Sequence, residues 1–172
     1  MKDILLFIGI SLFFSCKREM KVENITEDKK TNQYSDTIII SKKHKVNKIT
    51  CDLDGDKKNE IVEIVQNTRN KKTGLRIIFG NGNKTQYFGM GKNVLNQGFD
   101  EFDWVGIFEK APKNEICWNN IGENGDILSD DEIKEEDKIK LTNDGIFIHA
   151  EESCGGGIIY LENGEFKWIQ QE

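Results

Sequence analysis

Apolar and polar positions alternate along most of this chain with the two-residue period of strands, and no long stretch keeps the period of a helix. Short β-prone runs occur at Thr37–Ile40, Lys45–Cys51, Ile61–Val65, Leu75–Phe79 and Thr85–Phe88. Others follow at Phe102–Phe108, which Pro112 closes, at Lys138–Leu141 and at Ile146–Ile148. The clearest local signal comes last. Gly157–Leu161 and Glu165–Ile169 flank Asn163-Gly164, the preferred dipeptide of a tight hairpin turn. Gly80-Asn81-Gly82-Asn83 serves the same purpose between the fourth and fifth runs. Gly89–Gly98 reads as a loop from which Val94-Leu95 dips into the core. Two readings stand for the region before Lys138: a short helix over Asp130–Asp137 capped by Ser129, or a solvated acidic loop. The expectation is a single, mainly antiparallel β domain over residues 37–172, with about eight to ten short strands and little helix.

The N-terminal pattern differs. Met1-Lys2-Asp3 precedes an apolar run, Ile4–Phe14, interrupted only by Ser11, then Ser15-Cys16 and the polar Lys17-Arg18-Glu19. Such a run spans about 16 Å as a helix, half of a bilayer core, and fits a cleavable export signal better than a permanent span. Leu12-Phe13-Phe14-Ser15-Cys16 resembles a bacterial lipobox, with Phe13 where Leu is more usual. The resemblance implies that residues 1–15 are removed and that Cys16 carries lipid. Residues 16–36 are rich in Lys, Glu, Asn and Thr with almost nothing to bury, and read as a flexible tether.

Composition adds one exclusion. The formal net charge is −6, and it is unevenly placed: basic residues prevail before Gly98 and acidic residues after it. An acidic C-terminal half argues against a nucleic-acid partner. Beyond Cys16 there remain Cys51, Cys117 and Cys154. Two arrangements fit them: a Cys117–Cys154 disulfide, or buried free thiols throughout.

One stretch states a chemistry. Asp52, Asp54, Asp56 and Glu60 place four carboxylates in nine positions, just before the strand-like Ile61–Val65. Like charges that close repel unless something neutralises them, and a hard divalent cation does so well. The carboxylates fall at positions 1, 3, 5 and 9. Position 7 is Lys58, where a main-chain carbonyl suffices, and a water completes the six or seven oxygens calcium prefers. The spacing resembles the DxDGDGxxD calcium loop of FG-GAP and VCBS repeats. That resemblance implies Ca²⁺ held by Asp52, Asp54, Asp56, the Lys58 carbonyl and Glu60. Lys57 replaces the usual second glycine, and the chain holds a single copy of the motif, so a metal loop is implied and not a propeller. A second acidic segment, Glu123–Asp131, lacks this register and reads as a solvated loop.

His149 and Cys154-Gly155-Gly156-Gly157 raise a nucleophile-and-base reading, with glycine amides for an oxyanion. A structural cysteine before a glycine-rich strand entry explains the same residues with fewer requirements, and no catalytic set is assigned. The tail FIHAEESCGGGIIYLENGEFKWIQQE is similar to the ends of uncharacterised lipoproteins of Gram-negative bacteria. Together these readings describe an exported monomer anchored by lipid to the outer membrane. It would bind an unknown protein or glycan partner and be stabilised by one calcium ion. The alternatives are an immunity or hydrolase-inhibitor lipoprotein and, third, a small cysteine hydrolase.

Overall fold

A computed structural model of the chain describes residues 37–122, 124–129, 131–152 and 155–171. The expected signal segment, the expected lipidation site Cys16 and the expected tether lie outside the described residues, as does Cys154. No helix among the described residues is long and apolar enough to cross a membrane. The domain is mainly β. Its eleven described strands are β1 (Ile38–Ile40), β2 (Lys48–Cys51), β3 (Glu60–Asn67), β4 (Thr73–Ile78), β5 (Thr85–Gly89), β6 (Ile107–Ala111), β7 (Ile116–Cys117), β8 (Ile139–Lys140), β9 (Gly145–His149), β10 (Gly156–Glu162) and β11 (Glu165–Gln171).

All pairings are antiparallel. One sheet runs β3–β4–β5, and β1 and β2 both pair with the outer edge of β3, β1 along Val65–Asn67 and β2 along Glu60–Glu63. The second sheet runs β11–β10–β9–β6, and β7 with β8 forms a separate ribbon. Side-chain alternation explains the layering. Val62 and Ile64 of β3, with Leu75 and Ile77 of β4, bury against Phe108, Ile146, Ile148 and Ile159 of the second sheet. The intervening residues of that sheet, including Ile158, Tyr160 and Ile169, form a smaller core with Ala111, Cys117 and Leu141 on its other face. The second sheet is thus apolar on both faces, which is why its strands carry so few polar interruptions.

The hairpins form as their turn residues dictate. Asn163 and Gly164 both take positive φ (+52° and +82°), as a two-residue hairpin turn needs. Val94 is fully buried inside the glycine-rich loop, and Leu95 is half-buried. On the outer face of the first sheet Glu63, almost wholly buried, accepts two bonds from the Arg76 guanidinium (2.9 and 2.6 Å), and Lys48 lies 3.6 Å away. These three residues stand opposite one another in the strand register.

One local expectation is corrected, and a pair of open readings is narrowed. The strand expected over Phe102–Phe108 begins only at Ile107. Phe102 and Val105 both bury, and two residues three apart reach the same side of a turn, not of a strand. Thr73 Oγ1 accepts the Phe102 amide (2.9 Å) and donates to Asp103 Oδ1 (2.8 Å), which fixes the turn. Further on, Glu132 does accept the Ser129 amide and hydroxyl (2.9 and 2.7 Å), yet only a 3-10 turn over Glu135–Asp137 follows. Asp130 lies outside the described residues. The segment has one buried apolar residue, Ile133, too little to hold a helix against adjacent acidic charges.

Asp103 supplies a pH-dependent prediction. The Lys43 ammonium holds its carboxyl below the usual carboxylate range, with the Thr73 hydroxyl adding to the effect. A depressed folded value means that the unfolded chain binds the proton first, so the stabilisation is present above the ordinary value near 3.8 and is lost as pH falls through the folded one. The stability difference between wild type and Asp103→Asn should be constant from neutral pH to about 5 and vanish in stronger acid, as denaturant melts would record. A difference that grows in acid would contradict the pairing.

Candidate metal centre

The acidic loop is the β2–β3 connection. Cys51 of β2 pairs with Glu60 of β3, so the ladder itself brings the two ends of the loop together. Between them Leu53 turns inward and is fully buried in the main core, anchoring the loop from below. Above it, successive Asp side chains cap backbone amides. Asp52 accepts from Gly55 (2.9 Å) and Lys57 (3.2 Å), Asp54 from Asp56 (3.0 Å) and Asp56 from Lys58 (2.7 Å). These short-range bonds make the chain coil tightly. Gly55 and Lys57 sit in the left-handed region, at φ +79° and +68°. Lys57 thereby keeps the backbone a glycine would take, at a cost of about 1 kcal/mol.

The coil gathers some of the expected ligands and not others. One carboxylate oxygen each of Asp52, Asp54 and Glu60 fall within 4.8 Å of one another. Asp56 is outside that group, with its exposed carboxylate turned to the Lys58 amide. The Lys58 carbonyl lies against Gly80 and would be 2.9 Å from a Cβ there. Among the described residues no second group of three such side chains comes together; Glu123 and Asp130 of the second acidic segment lie outside the described residues.

Glu60 is the unusual member. It is completely buried, and its two oxygens accept the amides of Leu53 (2.6 Å) and Gly80 (3.1 Å). Burial raises its pKa; the two amides oppose this, while Asp54 and Asp52 add to it. Among the described residues no lysine or arginine comes within 4.0 Å of Asp52, Asp54 or Glu60. The donors are all oxygen, a set suited to a hard cation and poorly suited to soft or redox metals.

The far sheet reaches over to hold this loop. Asp144, in the β8–β9 turn, accepts the amides of Asp52 and Lys113 (3.0 Å each) and lies 3.4 Å from Lys110 Nζ. Its own amide donates to the Asp52 carbonyl (3.0 Å), and Asn143 Nδ2 donates to the Leu53 carbonyl (3.3 Å). A Cβ on Gly55, at φ +79°, would be strained and would sit 2.6 Å from Asn143 Oδ1, so glycine suits the close approach of the Asn143 amide. Burial opposes ionisation of Asp144, but the Asp52 and Lys113 amides and Lys110 outweigh it and hold the carboxyl below its ordinary value. Asn143-Asp144-Gly145 has the composition of an ordinary turn. Its partners are ninety residues away, and no local signal reveals them. Asp144→Ala removes a charged acceptor from two amides and should cost about 2 kcal/mol in chemical denaturation, whereas a surface control such as Asp126→Ala should be near neutral.

No family model, no curated protein and no solved structure matches the chain. The site's own chemistry therefore carries the functional argument.

The other residues singled out from sequence are structural where they are described. Cys51 is a buried free thiol pushed up to about 12 by burial, then by Asp144 and Glu60. Cys117 is likewise buried and free, raised to about 11. Its expected bridge partner, Cys154, lies outside the described residues. His149 donates from Nδ1 to the adjacent Ala150 carbonyl (2.7 Å) and stacks on Phe147 at 5.9 Å. His44 ties the β1–β2 connection to the Phe102 turn through Ser41 Oγ (3.0 Å) and the Phe102 carbonyl (2.9 Å).

Proposed function

We propose that the protein is an exported binding module, lipid-anchored through Cys16, whose Asp52–Glu60 loop takes one structural calcium ion. The observation that carries the calcium reading is the convergence of Asp52, Asp54 and Glu60 within 4.8 Å, with no basic side chain among the described residues within 4.0 Å of them. Three carboxylates that near one another repel by about 1 kcal/mol per pair where water screens them, and by about 3–4 kcal/mol at the effective dielectric of about 20 near a protein surface. A divalent cation removes that repulsion and makes each carboxylate a ligand. Asp52, Asp54 and Glu60 form the inner set, with the Lys58 carbonyl and Asp56 as the further oxygens of the motif and water completing the shell.

The role of the ion is structural. Its ligands stand at the end of a strand ladder, over a buried leucine and under a turn of the opposite sheet. The amides around Glu60 are fixed before the ion arrives, so the ion locks an existing loop. Extracellular calcium modules work at dissociation constants of about 10⁻⁴–10⁻³ M, a range that suits an exported protein. Binding is supported over catalysis because the described thiols are buried with raised pKa values and His149 is engaged with its own backbone. Equilibrium dialysis of the full chain should find one calcium per molecule. Asp54→Ala should abolish it, and a wild-type protein that retains no calcium would overturn the reading.

A further inference from the structure

The two ends of the first sheet differ in charge. At one end β2 runs into β3 through the acidic loop. The other end lies about 24 Å away along the eight residues of β3. There the start of β1, the β3–β4 turn over residues 68–72 and the loop over residues 89–92 come together. Hydrogen bonds fix the meeting. The Thr68 amide donates to the Thr37 carbonyl (2.8 Å), and Asn70 Nδ2 donates to the Met90 carbonyl (2.9 Å). The turn itself is closed by the Lys71 amide on the Asn67 carbonyl (2.8 Å) and the Lys72 amide on Asn70 Oδ1 (3.0 Å). Gly91 lies so near that a Cβ there would be 3.3 Å from Asn70 Nδ2 and 3.6 Å from Lys72 Cδ.

The segments that meet are basic. Arg69, Lys71 and Lys92 are exposed, and among the described residues no carboxylate lies within 4.0 Å of any of them. The adjoining segment, whose Asp100 carbonyl accepts the Gly91 amide (2.9 Å), is acidic, but its charges are engaged. Asp100 pairs with Lys72, Asp103 pairs with Lys43, and Glu101 acts on Lys72. β1, which pairs with β3 alone, adds Ile39 and Ile40, 45 % and 41 % exposed. Basic side chains beside exposed aliphatic ones suit a surface of anionic headgroups over hydrocarbon.

Position agrees with charge. The segment that the lipid-anchored reading attaches at Cys16 enters the described fold at Thr37, within this basic end. A face beside its own attachment point is held at high effective concentration near the bilayer, so a contact too weak to retain a free protein is occupied by an attached one.

We infer that this end of the first sheet docks on an anionic phospholipid surface, with the acidic loop directed away from it. The inference deepens the lipid-anchored reading and rests on it for the nearness of the bilayer. The test mixes the full chain with vesicles of phosphatidylcholine alone and of phosphatidylcholine with phosphatidylglycerol. The excess binding to the anionic vesicles reads the contribution of charge. Arg69→Gln with Lys71→Gln and Lys92→Gln should lower that excess by about tenfold to a hundredfold, because each basic side chain at such a surface counts for about fivefold. The same charge removed from three exposed lysines elsewhere, by Lys84→Gln, Lys113→Gln and Lys140→Gln, should change it no more than about twofold. On anionic vesicles a water-soluble amine reagent should label Lys71 and Lys92 severalfold less than in solution, with Lys113 and Lys140 labelled as before. Equal losses in the two triple variants, or unchanged labelling of Lys71 and Lys92, overturns the inference. The mass of the exported chain separates it from the anchor. Lipid on Cys16 with Lys71 and Lys92 unprotected overturns the docking alone, whereas protection without lipid on Cys16 supports the docking and removes the anchor. A chain that binds polyglutamate but not the anionic vesicles would assign this end to an acidic protein and overturn the lipid surface.

Discussion

Replacing Glu60 by alanine should lower stability by about 2–3 kcal/mol in chelator and by about 5 kcal/mol in saturating calcium, the largest effect of any substitution in the loop. Two opposed effects set the size of the loss. Truncation leaves the Leu53 and Gly80 amides without their acceptor in a fully buried place, at about 1–3 kcal/mol each. It also removes a buried charge and relieves the repulsion from Asp54 and Asp52, all of which push the Glu60 pKa upward; where water screens the two pairs, the repulsive part offsets about 2 kcal/mol. The unsatisfied amides win. Calcium at about a hundredfold over its dissociation constant adds about 2.7 kcal/mol to the wild type and nothing to the variant. Glu60→Gln, which keeps shape and one acceptor oxygen, should lose less in chelator yet be equally indifferent to calcium. Urea melts with and without calcium measure both terms, and an Ala variant as stable as wild type in chelator would show that the two amides find other partners.

Leu53→Ala comes second, at about 3 kcal/mol. Leu53 lies between two exposed-loop aspartates, but its side chain is fully buried among residues from both sheets. Its loss therefore leaves a cavity in the main core directly beneath the loop. That position separates it from an ordinary core residue. Leu53→Ala should weaken calcium affinity as well as stability, whereas Ile148→Val, fully buried in the same core but away from the loop, should cost about 1 kcal/mol and leave calcium affinity unchanged. Equal calcium affinity in the two variants would mean that the loop holds its shape without its anchor.

Much of this arrangement was legible in the sequence where the controlling forces are local. Asn163-Gly164 predicts its hairpin because two consecutive positive φ angles suit few other pairs. The aspartates of the acidic loop cap amides two to five residues on, so their spacing carries the coil with it. Legibility ended where partners are distant. Phe102–Phe108 has strand composition, but Thr73, thirty residues upstream, bends its first half into a turn. Ser129 and Glu132 form their reciprocal contact, yet with Ile133 alone to bury nothing extends it into a helix. The grip of Asn143 and Asp144 on the loop, and the burial of Glu60 against Gly80, depend on how the sheets meet. Pairs of that kind leave no periodic trace. The same holds for Phe99, Trp104 and Trp168, three ordinary aromatics until the fold brings them together.

We propose that the β2–β3 connection is a calcium-locked junction between the two sheets. Thermal melting of the full chain in chelator, in magnesium and in calcium tests it most directly. Calcium should raise the midpoint of the wild type by several degrees in a concentration-dependent manner, magnesium should do so far less, and Asp54→Ala should melt at one temperature in all three. An unchanged wild-type midpoint across the three conditions would contradict the account.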